Sequence, residues 1–550
     1  MNTKTMSVRE VIAVFGLAAG LGAAPVAGQT TFEWFGTGDG VSFEDASNWL
    51  PAGVPGSLDE AKFDSGMSDS INFALNHTNA TCSVENHTLV FNLAGRSYTA
   101  AELIVGDRMT DVGSLTVNGG NITTTSGFAQ IGRLSPAHGS LVLTNGATMT
   151  NQGDLRVGDE GVGYFQIDPG CSTTSHVAFL GNNAGASGEA LVQGTWMLQT
   201  GLIVGNGGTG VITVNGSGSM NVATTIKLAD EPFSSGTLNI DGPSAGVSAQ
   251  STVSVGNFGH GVLNVTNGAS LTVGQLSVGD EPGAVGEVLL DGNGSTIDSL
   301  TGATTVGNFG QGTLTVSNGA QLTTAQFKIA DDFPSNVVVD AGTIIDSVGT
   351  NVGNRAAGTL TLANGASLQS PLVTVTSLGT LSGSGTISGP VLNDGQVKPD
   401  SLTITGSYTQ GLLGVLNIDI GGPNAGTEYG QLNVSGTSTL AGTLNVSLVN
   451  GFNPSSGEFV ILQGGTITGN FAVENIPAGS TLTYEPNRVV LSIGGSCAAD
   501  FNGDGQLSFF DVLTFLGAFD AGDPQADMNS DGSFDFFDVL TFLGLFSAGC

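Results

Sequence analysis

Gly261-Val262-Leu263-Asn264-Val265-Thr266-Asn267-Gly268-Ala269-Ser270-Leu271-Thr272-Val273-Gly274-Gln275-Leu276-Ser277-Val278-Gly279-Asp280 alternates apolar and polar residues over three short runs. Strict alternation is the mark of a strand with one buried face. Turn-forming pairs separate the runs at Asn267-Gly268, Val273-Gly274 and Gly279-Asp280. The pattern predicts three short strands per unit, with Leu263, Val265, Leu271, Val273, Leu276 and Val278 pointing inward.

The unit recurs. An aliphatic residue, then Gly or Ala, then Asp, Asn or Arg stands at 105–107, 131–133, 157–159, 180–182, 204–206, 228–230, 255–257, 278–280, 306–308, 329–331 and 352–354. Steps of 23 to 28 residues are those of a solenoid, because one such unit cannot bury its apolar face alone and stacked units can. Antiparallel hairpins would also use Asn-Gly, but propeller blades need roughly 40 residues. The expected fold is therefore an all-β, right-handed parallel β-solenoid (β-helix). Eleven coils at roughly 4.8 Å each make a rod of about 50 Å before its flanks are added.

This signature resembles the repeat shared by type V autotransporter passengers and PEP-CTERM-associated (exosortase-sorted) surface proteins, over about residues 100 to 370. The entry text Trp34-Phe35-Gly36, Asn48-Trp49, Val54-Pro55-Gly56 and Asp59 to Phe63 is similar to the start of such passengers. Gly379 to Ile387, Tyr408 to Gln410 and Phe459 to Leu462 are similar to their closing region. The expected organisation is a signal peptide (1–28), a cap with first coils (29–100), the regular solenoid (101–370), a β-rich closing region (371–496) and a separate C-terminal module (497–550).

That module contains one text twice, 27 positions apart. Asp500, Asn502, Asp504, Gln506, Ser508 and Asp511 occupy positions 1, 3, 5, 7, 9 and 12 of the first loop. Asp527, Asn529, Asp531, Ser533, Asp535 and Asp538 occupy the same positions of the second, with Gly505 and Gly532 at position 6. Side-chain oxygens at 1, 3, 5, 9 and 12, a backbone carbonyl at 7 and a Gly at 6 are how a short loop wraps Ca²⁺. Two calcium ions are expected. Each loop runs into Phe-Phe-Asp-Val-Leu-Thr-Phe-Leu-Gly, read as a helix. The pair resembles the type I dockerin, an EF-hand-like module whose known partner is a cohesin. Its Phe509-Phe510 and Phe536-Phe537 pairs depart from the small or hydroxyl residues usual at cohesin-contacting positions. The Gly549-Cys550 ending is similar to a dockerin-like variant used as an anchoring tag. Cys497 and Cys550 bracket the module and are expected to pair, while the pairing of Cys82 and Cys171 stays open.

Lys4 and Arg9, an apolar stretch from Val11 to Ala24 and the small Val26-Ala27-Gly28 read as a secretory signal. Its removal leaves 10 basic against 45 acidic residues. Nucleic acid is excluded as a partner, since phosphate contacts need Lys and Arg. A secreted, extracellular or cell-surface protein with no membrane span after signal removal is expected.

Parallel β-helices include polysaccharide lyases, whose chemistry needs a basic residue near an acidic cluster. Arg156, Lys227 and Lys328 lie on well-separated coils and read as solvated surface charges. His77 and His87 read as loop residues, and the five histidines show no metal-ligand spacing. Trp34, Trp49 and Trp196 read as packing residues, and the Asp and Asn of the signature as turn formers. No catalytic set emerges. The expectation is a non-enzymatic structural or adhesion-type surface protein, whose module meets a cell-surface or cohesin-like partner and whose rod meets extracellular glycans. The second reading is a dockerin-bearing component of a polysaccharide-binding or polysaccharide-degrading assembly.

Overall fold

A computed structural model describes residues 28–494, 497–504 and 506–549. The segment expected to be a signal peptide, up to Ala27, lies outside the described residues, as do Gly505 and Cys550.

The unit 261–280 forms one coil of a parallel stack. His260–Thr266 lies between Ser235–Asp241 and Val285–Asp291, with Leu263 beside Leu238 on one side and Val288 on the other. Every inward residue predicted for this coil is buried. Each such side chain gains roughly 1.5–3 kcal/mol by leaving water. The three-strand expectation needs one correction. Ser270–Val278 is a single strand whose register shifts between Thr272 and Leu276. Asn267 and Gly268 both take left-handed φ (57° and 87°) and turn the chain, whereas Val273-Gly274 only bends it. Elsewhere the two runs separate, as in Thr195–Leu198 and Leu202–Val204.

Coils continue into both flanks. One sheet stacks in parallel from Ser68–Asn72 to Val473–Asn475. The period tightens after the regular region: Thr380 pairs with Gln396, a coil of 16 residues. Antiparallel pairs close the ends, Trp34 against Trp49 at the start and Phe459 against Leu491 at the finish. Such pairing covers the open strand edges that a solenoid leaves. Trp34, Trp49 and Trp196 are all buried packing residues.

The signature Asp and Asn side chains bond to one another along the rod. Asp159 accepts from Gln130 Nε2 and Asn182 Nδ2, both at 2.6 Å. Asp280 accepts from Ser254 Oγ at 2.7 Å and Asn308 Nδ2 at 2.9 Å. The reading of the basic residues as solvated charges is corrected here. Lys227 pairs with Asp230 at 2.9 Å, Lys328 with Asp331 at 3.7 Å and Arg156 with Asp159 at 3.5 Å, each three positions on. A cation before the turn thus faces the carboxylate after it.

A denser charged cluster sits in the first coils. Lys62 Nζ lies 3.1 Å from Asp64 and 3.2 Å from Glu85, and Arg108 Nε lies 3.6 Å from Glu85. Burial pushes the Glu85 carboxyl up to about 7, against the pull of Lys62 and Arg108. The folded value exceeds the unfolded one of about 4.3, so the folded chain binds the extra proton. Stability from this group is full below about 4.3 and is lost as pH rises through about 7. The thermal midpoint should rise on going from pH 8 to pH 5, and Glu85→Gln should flatten that slope. An unchanged slope in the variant would refute the assignment.

The C-terminal module has its own core. Helices α1 (Phe509–Ala521) and α2 (Phe536–Ala548) enclose Ala499, Phe515, Ala526 and Phe542. The Phe515 and Phe542 rings stack face to face with centroids 4.0 Å apart.

Candidate metal centre

Each acidic loop of the module ends in a helix cap, and the same side chains serve both. Ser508 is the N-cap of α1, its Oγ accepting from Phe510 N at 3.1 Å. Asp511 completes the capping box, accepting from Ser508 N at 2.8 Å and from Asn502 N at 3.2 Å. In α2, Asp535 accepts from Phe537 N at 2.8 Å, and Asp538 accepts from Asp535 N at 2.9 Å and Asn529 N at 3.3 Å. This reciprocal cap ties loop positions 9 and 12 to the first turn of each helix.

The early loop positions fold back on themselves. Asp504 N donates to Asp500 at 3.1 Å and to Asn502 at 2.8 Å, while Gln506 N donates to Asp504 at 2.9 Å. Asp531 N repeats this toward Asp527 at 3.1 Å and Asn529 at 2.9 Å, and Ser533 N donates to Asp531 at 2.8 Å. Carboxylate oxygens of Asp500, Asp504 and Asp511 lie within 4.8 Å of one another. Among the described residues, the second loop's carboxylates do not converge as closely. Asp511 and Asp538 are fully buried. Burial raises the Asp511 carboxyl, but the Ser508 and Asn502 amides outweigh it and hold the group below its ordinary value. The Asp535 amide does the same for Asp538, against burial and with help from Asn529.

The donor set fits a hard divalent cation: oxygen ligands only, carboxylates at three or four of the six positions, and a Gly at position 6 in each loop. Residues 497–550 contain nine Asp and no Lys, Arg or His. No side chain there can neutralise the cluster. Helix α1 exposes Phe509, Phe510, Leu513 and Leu516, and α2 exposes Phe536, Phe537, Leu540 and Leu543. Cys497 is disulfide-bonded. Cys82 and Cys171 are free, buried thiols, and burial pushes Cys82 up to about 12.

The rod holds one arrangement the sequence did not reveal. His87, read as a loop residue, is buried, with Ser65 Oγ 3.1 Å from Nδ1 and Asp69 Oδ2 3.0 Å from Nε2. His77 opens the strand His77–Val84 and faces Glu44 at 2.8 Å. In a serine hydrolase, Ser meets Nε2 and the carboxylate meets Nδ1. Here the nitrogens are exchanged and the His87 ring has no exposed surface. The triplet therefore reads as a clasp between neighbouring turns.

No family model matches the chain. A stretch covering 32% of it is 28% identical, over 195 residues, to the uncharacterized lipoprotein YdeK of Escherichia coli (strain K12). The match covers 14% of that protein's length, well under two thirds. No helix among the described residues is long and apolar enough to cross a membrane.

Proposed function

We propose that this is an exported bacterial surface protein of structural or adhesive type, a β-solenoid rod tethered through a calcium-binding, dockerin-like foot. The observation that carries the reading is the duplicated oxygen-only loop in a module with nine Asp and no basic side chain. In that reading Asp500, Asn502, Asp504, Ser508 and Asp511 hold one Ca²⁺, with the Gln506 carbonyl. Asp527, Asn529, Asp531, Asp535 and Asp538 hold the other, with the Ser533 carbonyl. The foot is closed by a Cys497–Cys550 bridge.

The tether surface is the exposed apolar face of the two helices. Phe509-Phe510 and Phe536-Phe537 are equivalent by the internal repeat, so the module offers two similar apolar patches. Aromatic anchors of this kind carry most of the energy of protein interfaces. The partner's groove is apolar and rimmed with Lys or Arg, because the module's own rim is wholly acidic. The surface location is in keeping with the lipoprotein name of the partial relative.

Chelation tests the tether. EDTA added to intact cells should release the mature chain into the medium, and excess Ca²⁺ should prevent release. Phe510→Ser with Phe537→Ser should weaken retention about 100-fold without loss of calcium binding. Retention of the wild-type chain through EDTA treatment would overturn the reading.

A further inference from the structure

Late in the rod the coils lengthen again after two short ones. Gln396 pairs with Val415, 19 positions on, but Val415 pairs with Thr443, 28 positions on. The excess is the segment 421–430, between Val415–Ile420 and Gln431–Val434. Backbone bonds give it a defined shape. Gly421 N donates to Glu428 O at 2.7 Å, Glu428 N to Asn424 O at 2.9 Å and Gly430 N to Asp419 O at 3.0 Å. A solenoid needs no such loop to continue its stack, since the coil of 19 residues before it does so without one.

The loop borders a cavity of about 420 Å³, within the roughly 300–1,000 Å³ range of small-ligand sites. Lys398, Asp400, Asp419, Glu428, Tyr429 and Asn450 are among its lining residues. Lys398 Nζ sits 2.8 Å from Asp419 Oδ2, and that hydrogen bond holds the ammonium above its ordinary value. Glu428 Oε2 accepts from Asn424 N at 3.0 Å and from Asn424 Nδ2 at 2.6 Å, which fixes the carboxylate. Tyr429 is buried, edge-on to Phe459 with centroids 5.3 Å apart, and anchors the floor.

The charge of these groups limits the ligand. Three carboxylates face one ammonium, so the cavity repels anions. The Lys398 ammonium already stands against Asp419, so the cavity is not an all-oxygen cage of the kind a hard metal ion takes. Acceptors on three residues suit a molecule with several hydroxyl or ammonium donors spread around it. Lys398 and Asn450 supply the donors for its oxygens.

We propose that this cavity binds a single hexose unit of an extracellular glycan, uncharged or amino-bearing, and rejects uronic acids. Asp400, Asp419 and Glu428 accept from the sugar's hydroxyl or ammonium groups, and Lys398 and Asn450 donate to its hydroxyl oxygens. The site is independent of the calcium foot, so failure of the tether would leave it standing.

The calcium-loaded mature chain can be titrated with the methyl glycosides of glucosamine, glucose and glucuronic acid, followed by saturation-transfer NMR. The glucosaminide should bind about tenfold more tightly than the glucoside, with no binding of the glucuronide. Asp400→Asn, an exposed substitution, should erase the preference for glucosaminide over glucoside with an unchanged thermal midpoint. Lys398→Met should weaken all binding. Absence of binding by all three sugars at millimolar concentration, equal binding of the glucuronide, or wild-type selectivity in Asp400→Asn would each overturn the proposal. So would binding of added Ca²⁺ at the cavity without any sugar.

Discussion

Asp504→Ala combined with Asp531→Ala should abolish calcium-induced helicity in the C-terminal module and lower calcium affinity by more than about 100-fold. The reason is that the loops and helices share side chains. Ser508 and Asp511 cap α1, and Asp535 and Asp538 cap α2, while the same four residues occupy loop positions 9 and 12. Without a cation, three carboxylates of the first loop sit within 4.8 Å of one another. Two like charges at that separation repel by about 3.5 kcal/mol at an effective dielectric of 20. No basic side chain in residues 497–550 relieves them. Binding free energy is then folding free energy. Circular dichroism of the full chain at 222 nm reads the change cleanly, because the rod contributes strands and the two helices lie in the module. Calorimetry should find two sites in the wild type. Full calcium-induced helicity in the double variant would refute the ligand assignment.

Much of the rod was legible because strand alternation and coil period are local properties. Leu263, Val265, Leu271, Val273, Leu276 and Val278 were assigned inward from spacing alone, and all six are buried. The two helices of the module were equally plain, since each begins with the same contiguous text. What escaped was set by contacts between coils. Val273-Gly274 looked like Asn267-Gly268, but only the latter pair takes left-handed φ. Lys227 and Lys328 looked like surface charges because their carboxylate partners come after the turn. Burial of His87 between Ser65 and Asp69 depends on residues 22 and 18 positions away. The loop 421–430 carries Gly-Gly-Pro-Asn, which marks a turn but not the cavity beside it.

The periodic glycines divide into two kinds, and a pair of substitutions should separate them. Gly256 and Gly279 of the signature take φ of 69° and 68° and turn the chain at a corner of each coil. Gly261 has no unusual φ. It begins the next run, where a Cβ would overlap the backbone of Gly256. Gly236 and Gly286, its register partners, are blocked in the same way by Ala229 and Gly279. Each corner is thus closed by backbone packed on backbone, which no rotamer change can relieve. Gly261→Ala should cost more than about 4 kcal/mol. Gly283→Ala is the control: its φ is 85°, but nothing lies within 4 Å of the added carbon. It should cost only about 1–2 kcal/mol from left-handed strain. Because coils contact mainly their neighbours, damage at Gly261 should open the rod locally. Limited proteolysis should then cut Gly261→Ala near residues 256–286 under conditions where the wild type and Gly283→Ala stay intact. Equal resistance of the three proteins would mean that the corner can relax, and that the glycine spacing reflects turn conformation alone.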